Sequence, residues 1–214
     1  MKQFGTIPFK VSLIVIFVFF FGNLAAQVGT NQGILNPNLA TENELEVLPH
    51  LNAELAKAVV ENRPYLSMSK FDVFIKKYLN EDEISEVYTK LFIPINLNTS
   101  PSDEIHLVPG VGDRMTHEFE EYRPYKALMQ FRREIGKYVD DTELKRLEQF
   151  VFVPIDLNDA SDEDILSIPG LGNRMLHEFK EYRPYKSISQ FRREIGKYVD
   201  DGEVARLERY VVLE

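Results

Sequence analysis

The 214-residue sequence contains no cysteine and no tryptophan. Without cysteine, disulfide staples, thiolate metal centres, thiol nucleophiles and lipid attachment through an N-terminal cysteine are excluded, so stability must come from packing. Excess positive charge is also missing: 25 Lys and Arg face 34 Asp and Glu, a formal net charge of −9. That balance excludes binding of polyanions by bulk charge, and any nucleic-acid contact must rest on local geometry. No strongly apolar run approaches the roughly 20 residues that a membrane-spanning helix requires; Val11 to Phe21 reaches about half of that. Serine-nucleophile, phosphate-loop and dinucleotide fingerprints are absent as well. The expectation is a protein that is not an enzyme and uses no cofactor, metal or small-molecule substrate.

The N-terminus has the order of a secretory signal peptide: Lys2 and Lys10, the apolar run, then Gly22-Asn23-Leu24-Ala25-Ala26. Residues 1–26 are read as that signal, cut near Ala25 or Ala26, with 27–35 as a linker. The mature chain is expected to be periplasmic or secreted, touching a membrane only if the N-terminal segment stays uncleaved.

Self-similarity governs the remainder. Gln130 to Asp141 and Gln190 to Asp201 are identical, sixty residues apart. The same offset carries Pro109-Gly110-Val111-Gly112 onto Pro169-Gly170-Leu171-Gly172, and Tyr122-Arg123-Pro124-Tyr125-Lys126 onto Tyr182-Arg183-Pro184-Tyr185-Lys186. Another sixty residues back, a weaker copy keeps Pro49, Asn62-Arg63-Pro64-Tyr65 and Lys77-Tyr78, while Asn38, Asn98 and Asn158 align. Units are therefore drawn at 36–95, 96–155 and 156–214. Each reads as four short helices, in the middle copy roughly Pro101 to Val108, Asp113 to Tyr122, one after the Pro-Tyr turn, and one opening at Asp140. Capping-box spacings recur at Asn80 with Glu83, Asp140 with Glu143, Asp200 with Glu203, and Ser187 with Gln190. The joins Phe92-Ile93-Pro94-Ile95 and Phe152-Val153-Pro154-Ile155 are apolar rather than flexible. Because a sixty-residue unit is marginal alone, the expected architecture is all-α: three tandem units packed end to end as a semi-rigid rod.

The turn between the first two helices of each unit is the candidate site. Gly110 or Gly170 can adopt the left-handed conformation that ends a helix. Val111 or Leu171 plugs the core, and Gly112 or Gly172 lets the chain pass close to a ligand. The next helix then begins with unpaired N–H groups and the positive end of its dipole, a seat for phosphate. Arg114 and Arg174 stand one turn on, in reach of the same anion.

These residues, with Asn96-Leu97-Asn98-Thr99-Ser100, the Arg123-Pro124-Tyr125 turn and the equivalent stretch from Asp156 to Tyr185, resemble the helix-hairpin-helix family, in particular the ComEA-like exported DNA-receptor domain. The resemblance implies three tandem helix-hairpin-helix units and binding of the duplex DNA backbone without sequence preference. By the same resemblance it points to Gly110, Val111, Gly112, Arg114, Gly170, Leu171, Gly172 and Arg174. The sequence departs from the family in three places. The second turn of each unit, as in Ile135-Gly136-Lys137-Tyr138, has one glycine where the family pairs two glycine-rich hairpins. His50-Leu51-Asn52 replaces Gly-apolar-Gly in the first copy, which is expected to keep the fold and lose the phosphate grip. Asp113 stands beside the second seat, whereas Asn173 leaves the third uncharged and makes it the better binder.

A basic stripe is a further candidate: Lys126, Arg132, Arg133 and Lys137, repeated as Lys186, Arg192, Arg193 and Lys197. Phe131 and Phe191 read as core; Tyr125 and Tyr185 read equally as core or as stacking surfaces for bases. His117-Glu118 and His177-Glu178 lack the second histidine that a zinc helix requires. Two functions follow: DNA backbone binding outside the cytoplasmic membrane, such as in DNA uptake, or a protein-interaction scaffold that keeps the fold without DNA contact. The extrinsic helix-hairpin-helix subunit of photosystem II is a precedent for the second.

Overall fold

The computed structural model describes residues 33–213. The expected signal peptide and most of the expected linker lie outside the described residues. The chain is predominantly helical, with twelve helices and four two-residue strands among the described residues. A first helix set comprises α1 (Glu42–Glu46), α2 (Ala53–Glu61), α3 (Met68–Ile75) and α4 (Glu81–Tyr88). The second comprises β1 (Ile95–Asn96), α5 (Ser102–Ile105), α6 (Asp113–Glu121), α7 (Leu128–Ile135), α8 (Asp141–Glu148) and β2 (Val151–Phe152). The third comprises β3 (Ile155–Asp156), α9 (Asp162–Leu166), α10 (Asn173–Glu181), α11 (Ile188–Ile195), α12 (Asp201–Glu208) and β4 (Val211–Val212). Every boundary of α6, α7 and α8 reappears sixty residues on in α10, α11 and α12.

Caps place the helix starts. Asn80 and Glu83 exchange both arms of a capping box at α4. At α8 and α12 only one arm forms: Asp140 and Asp200 accept backbone N–H groups, but Glu143 and Glu203 turn to Arg146 and Arg206 one helical turn along. Ser187 likewise caps α11, while the Gln190 amide oxygen accepts from Lys186 N instead.

The Asn and Arg-Pro-Tyr signatures are structural. Asn98 Nδ2 donates to Tyr125 O (2.8 Å) and its Oδ1 accepts from Tyr125 N (2.6 Å). Arg123 donates to Leu97 O and Ser100 O. Equivalent bonds join Asn38 and Arg63 to the first set and Asn158 and Arg183 to the third. Side chains thus satisfy carbonyls of the loop that leads into each first helix, through the Arg, and the amide and carbonyl of the Pro-Tyr turn, through the Asn.

Strands appear at the joins, where all-helical structure was expected. Ile95 pairs in parallel with Val151, and Ile155 with Val211, while Leu35 bridges Leu91. The first residues of each set therefore pair with its own last residues, and the chain leaves each set beside its point of entry.

That closure accounts for a departure from the expected rod. Phe92 meets Phe150 edge-on with ring centroids 5.0 Å apart, and Phe152 meets Tyr210 at 4.5 Å. Arg209, near the end of the third set, donates to Pro94 O in the first join (3.0 Å). The third set also touches the first, because a Cβ built on Gly202 would lie 3.3 Å from Pro64 Cδ. The sets gather around their joins instead of extending in a line. One buried cluster runs from Ile34 through the second set to Val153, and another occupies the third set.

Candidate nucleic-acid interface

Three bends share one backbone path. Gly110 has φ +78° and Gly170 φ +80°, and His50, at the equivalent position, adopts φ +63° despite its side chain. In each the following amide closes the turn: Val111 N donates to Val108 O, Leu171 N to Ile168 O and Leu51 N to Leu48 O. Val111 is buried and Leu171 packs partly buried against the third-set core, as plugs.

The helix starts differ in chemistry. Asn52 opens α2, and its side chain accepts from Leu55 N at 2.9 Å. Gly112 opens α6 with φ −113° and ψ −175°, and Gly172 opens α10 with φ −109° and ψ 176°; neither helix start has a side-chain cap hydrogen bond. A Cβ at Gly112 or Gly172 would meet nothing within 4 Å. Gly110, Gly112 and Arg114 are exposed, as are Gly170, Gly172, Asn173 and Arg174. The second and third bends thus present uncapped amides to open space, and the first does not.

Side chains from the fourth helix of each set stand behind the bends. The Arg146 guanidinium would lie 3.2 Å from a Cβ on Gly110. Arg206, only 2% exposed, donates to Pro169 O at 2.7 Å. The first set has Glu86 at this position, and His50 Nε2 lies 2.9 Å from its carboxylate. Sequence reasoning missed this inward contact; its signal was the match of Glu86, Arg146 and Arg206 at the repeat offset.

Arg114 and Arg174 have no ion-pair partner among the described residues; Arg114 lies 5.9 Å from the Tyr138 ring centroid. Asp113 lies 2.9 Å from His106 Nε2 and remains fully exposed beside the second bend. The third bend has neutral Asn173 there, but on its other flank Leu39 of the first set closes in: a Cβ on Gly170 would fall 2.8 Å from Leu39 Cδ2. Gly170 nevertheless stays exposed.

The expected basic stripe is largely neutralised by internal pairs. Arg132 grips Glu148 with two nitrogens, and Arg133 and Lys137 both reach Glu134. Arg192 pairs with Glu208, and Arg193 and Lys197 with Glu194. Hydrogen bonds from Lys137 and then Arg133 hold the Glu134 carboxyl below its usual range, and Lys197 and Arg193 do the same to Glu194. Lys126 and Lys186 use their backbone amides to bond Gln130 and Gln190. Both tyrosines weighed as stacking surfaces are core: Tyr125 is 1% and Tyr185 2% exposed, packed against Phe131 and Phe191. Burial pushes both hydroxyls far above the ordinary tyrosine value. His117 and His177 are exposed and face Glu121 and Glu181 one turn along. Among the described residues, no three His, Asp or Glu side chains gather as metal ligands. Comparison of the chain with protein-family models, curated proteins and solved structures finds no match.

Proposed function

We propose that this chain is an exported, non-enzymatic protein of three tandem helix-hairpin-helix units that grips the duplex DNA backbone without reading sequence. The third hairpin is the principal contact and the second an auxiliary one. The observation that carries this reading is the contrast at the helix starts: Asn52 fills the amide seat of α2, whereas Gly172 leaves that of α10 uncapped, with unpaired Arg174 one position beyond Asn173. A phosphate oxygen there would accept from the first amides of α10 and meet the positive end of its dipole. Amides have no means of distinguishing bases, so the grip is expected to be independent of sequence.

Gly172→Asn tests the reading. Asn52 already occupies the same backbone conformation, with φ −99° and ψ 174°, so the substitution is sterically admissible. An Asn cap should stabilise α10 by about a few tenths of a kcal/mol relative to Gly while competing with phosphate for the same amides. Thermal denaturation should show a raised Tm, and fluorescence anisotropy with a labelled duplex at low salt should show weakened binding that also declines steeply with added salt. Undiminished DNA affinity in a stabilised Gly172→Asn protein would remove the hairpin from the site.

The second reading, a docking scaffold without DNA contact, is favoured by the pairing of Arg132, Arg133 and Lys137 with carboxylates of their own set. A stoichiometric protein partner that survives nuclease treatment, together with absent duplex binding, would establish it in place of the first.

A further inference from the structure

The first helix set carries a surface that the other two sets do not. Leu66, Val73 and Tyr78 are 43%, 63% and 51% exposed, and the Tyr78 ring lies 5.3 Å from that of Phe74. Leu66, Val73 and Phe74 line a groove of about 370 Å³, together with Pro64, Lys70 and Lys77. The same backbone positions in the second and third sets are polar. Leu66 corresponds to Lys126 and Lys186, Val73 to Arg133 and Arg193, and Phe74 to Glu134 and Glu194. Since α7 and α11 fold with Arg133 and Arg193 in place of Val73, an exposed apolar side chain there is not required by the fold, whereas Phe74, 7% exposed, belongs to the core and floors the groove. Exposed apolar area of this kind, gathered on one face, is a mark of an interaction surface.

The exchange also frees positive charge. Lys137 and Lys197 each bind the glutamate three residues before them. In the first set that position is Phe74, and Lys77 instead lies 5.9 Å from the Phe74 ring centroid. Lys77 and Lys70 have no ion-pair partner among the described residues, and no carboxylate lines the groove. A basic rim around an apolar floor, in a chain of net charge −9, is complementary to carboxylates interspersed with large apolar side chains. We infer that this groove docks an acidic, apolar-anchored peptide segment of a partner protein, independently of the hairpins on the other sets.

The test uses the full chain and a fluorescein-labelled peptide of about fourteen residues, rich in Glu with Leu and Phe at helical spacing, beside a twin bearing Lys for each Glu. Anisotropy should show the acidic peptide binding at least about tenfold more tightly than its twin. Leu66→Ser/Val73→Ser and Lys70→Glu/Lys77→Glu should each weaken the acidic peptide by about tenfold or more. The first pair alters exposed side chains only, so circular dichroism should remain unchanged. Gly172→Asn should leave peptide binding intact, which separates this surface from the proposed DNA seat. Equal binding of the two peptides, or indifference to both double variants, would overturn the inference. So would a concentration-dependent dimer, seen by sedimentation, that Leu66→Ser/Val73→Ser dissolves, because the occupant would then be a second copy of this chain.

Discussion

Positions 50, 110 and 170 share a left-handed backbone but hold His, Gly and Gly. A side chain in that conformation costs roughly 1–2 kcal/mol, which the first bend offsets in part through contacts of His50 with Glu83 and Glu86. Gly170→Ala should lower stability by at least about 1–2 kcal/mol, because Leu39 stands where the new methyl would go. Gly110→Ala should cost less, since its near neighbour is the movable tip of Arg146. Chemical denaturation of the two variants checks the ranking; equal losses would mean that Leu39 yields freely. The bend itself was legible in the sequence, since Gly-apolar-Gly has few other uses between two helices. What stands behind it was not. Arg146 and Arg206 look like ordinary members of polar helices, and only their inward contacts reveal them. Conversely, the stripe from Arg132 to Lys137 looked available because charge in a sequence carries no partner, and Glu148 lies sixteen residues away.

Among the helices, position 104 shows how one substitution redirects another residue. Glu44 and Asp164 each close a capping box with Thr41 and Ser161. Pro101 replaces that cap before α5, so Glu104 has no partner on its own helix. Its carboxylate, 5% exposed, instead accepts from Ser69 N at 3.1 Å and so reinforces the start of α3 in the first set. Glu104→Ala should therefore cost about 1–2 kcal/mol, with faster amide exchange in α3 as well as α5. If exchange rises in α5 alone, Glu104 does not bridge the sets. Helix number, the span of α6 and the starts of α4, α8 and α12 were readable from caps and prolines. The first helices were not: α5 spans Ser102–Ile105, shorter than the reading to Val108, because the chain there tightens into the bend. The two-residue strands were also hidden, since apolar joins such as Phe152-Val153 announce packing between units but not the backbone pairing of Val151–Phe152 with Ile95–Asn96.

For the whole molecule, closure of each set on itself brings the two joins and the end of the third set together and lets Arg209 reach Pro94 across 115 residues. Phe150 is 2% exposed and meets Phe92 of the preceding join. Phe150→Ala should cost about 3–5 kcal/mol, with hydrogen exchange accelerated in α3 and α7 alike. A loss confined to α5–α8 would show that the first two sets do not share one core. Mutual packing also decides which bends stay accessible: the second faces a groove bordered by Asp72, Lys76 and Glu81 of the first set, while Leu39 covers only one flank of the third. The proposed DNA grip depends on amides at the start of α10, and the most direct measurement is a nuclear magnetic resonance titration of the isotopically labelled protein with a short duplex. The account predicts amide shifts concentrated at Asn173, Arg174 and Met175, weaker shifts at Asp113 to Met115, and none at Ala53 to Leu55, where Asn52 holds the seat. Shifts spread over α3 or α11 with residues 173–175 unmoved would contradict it.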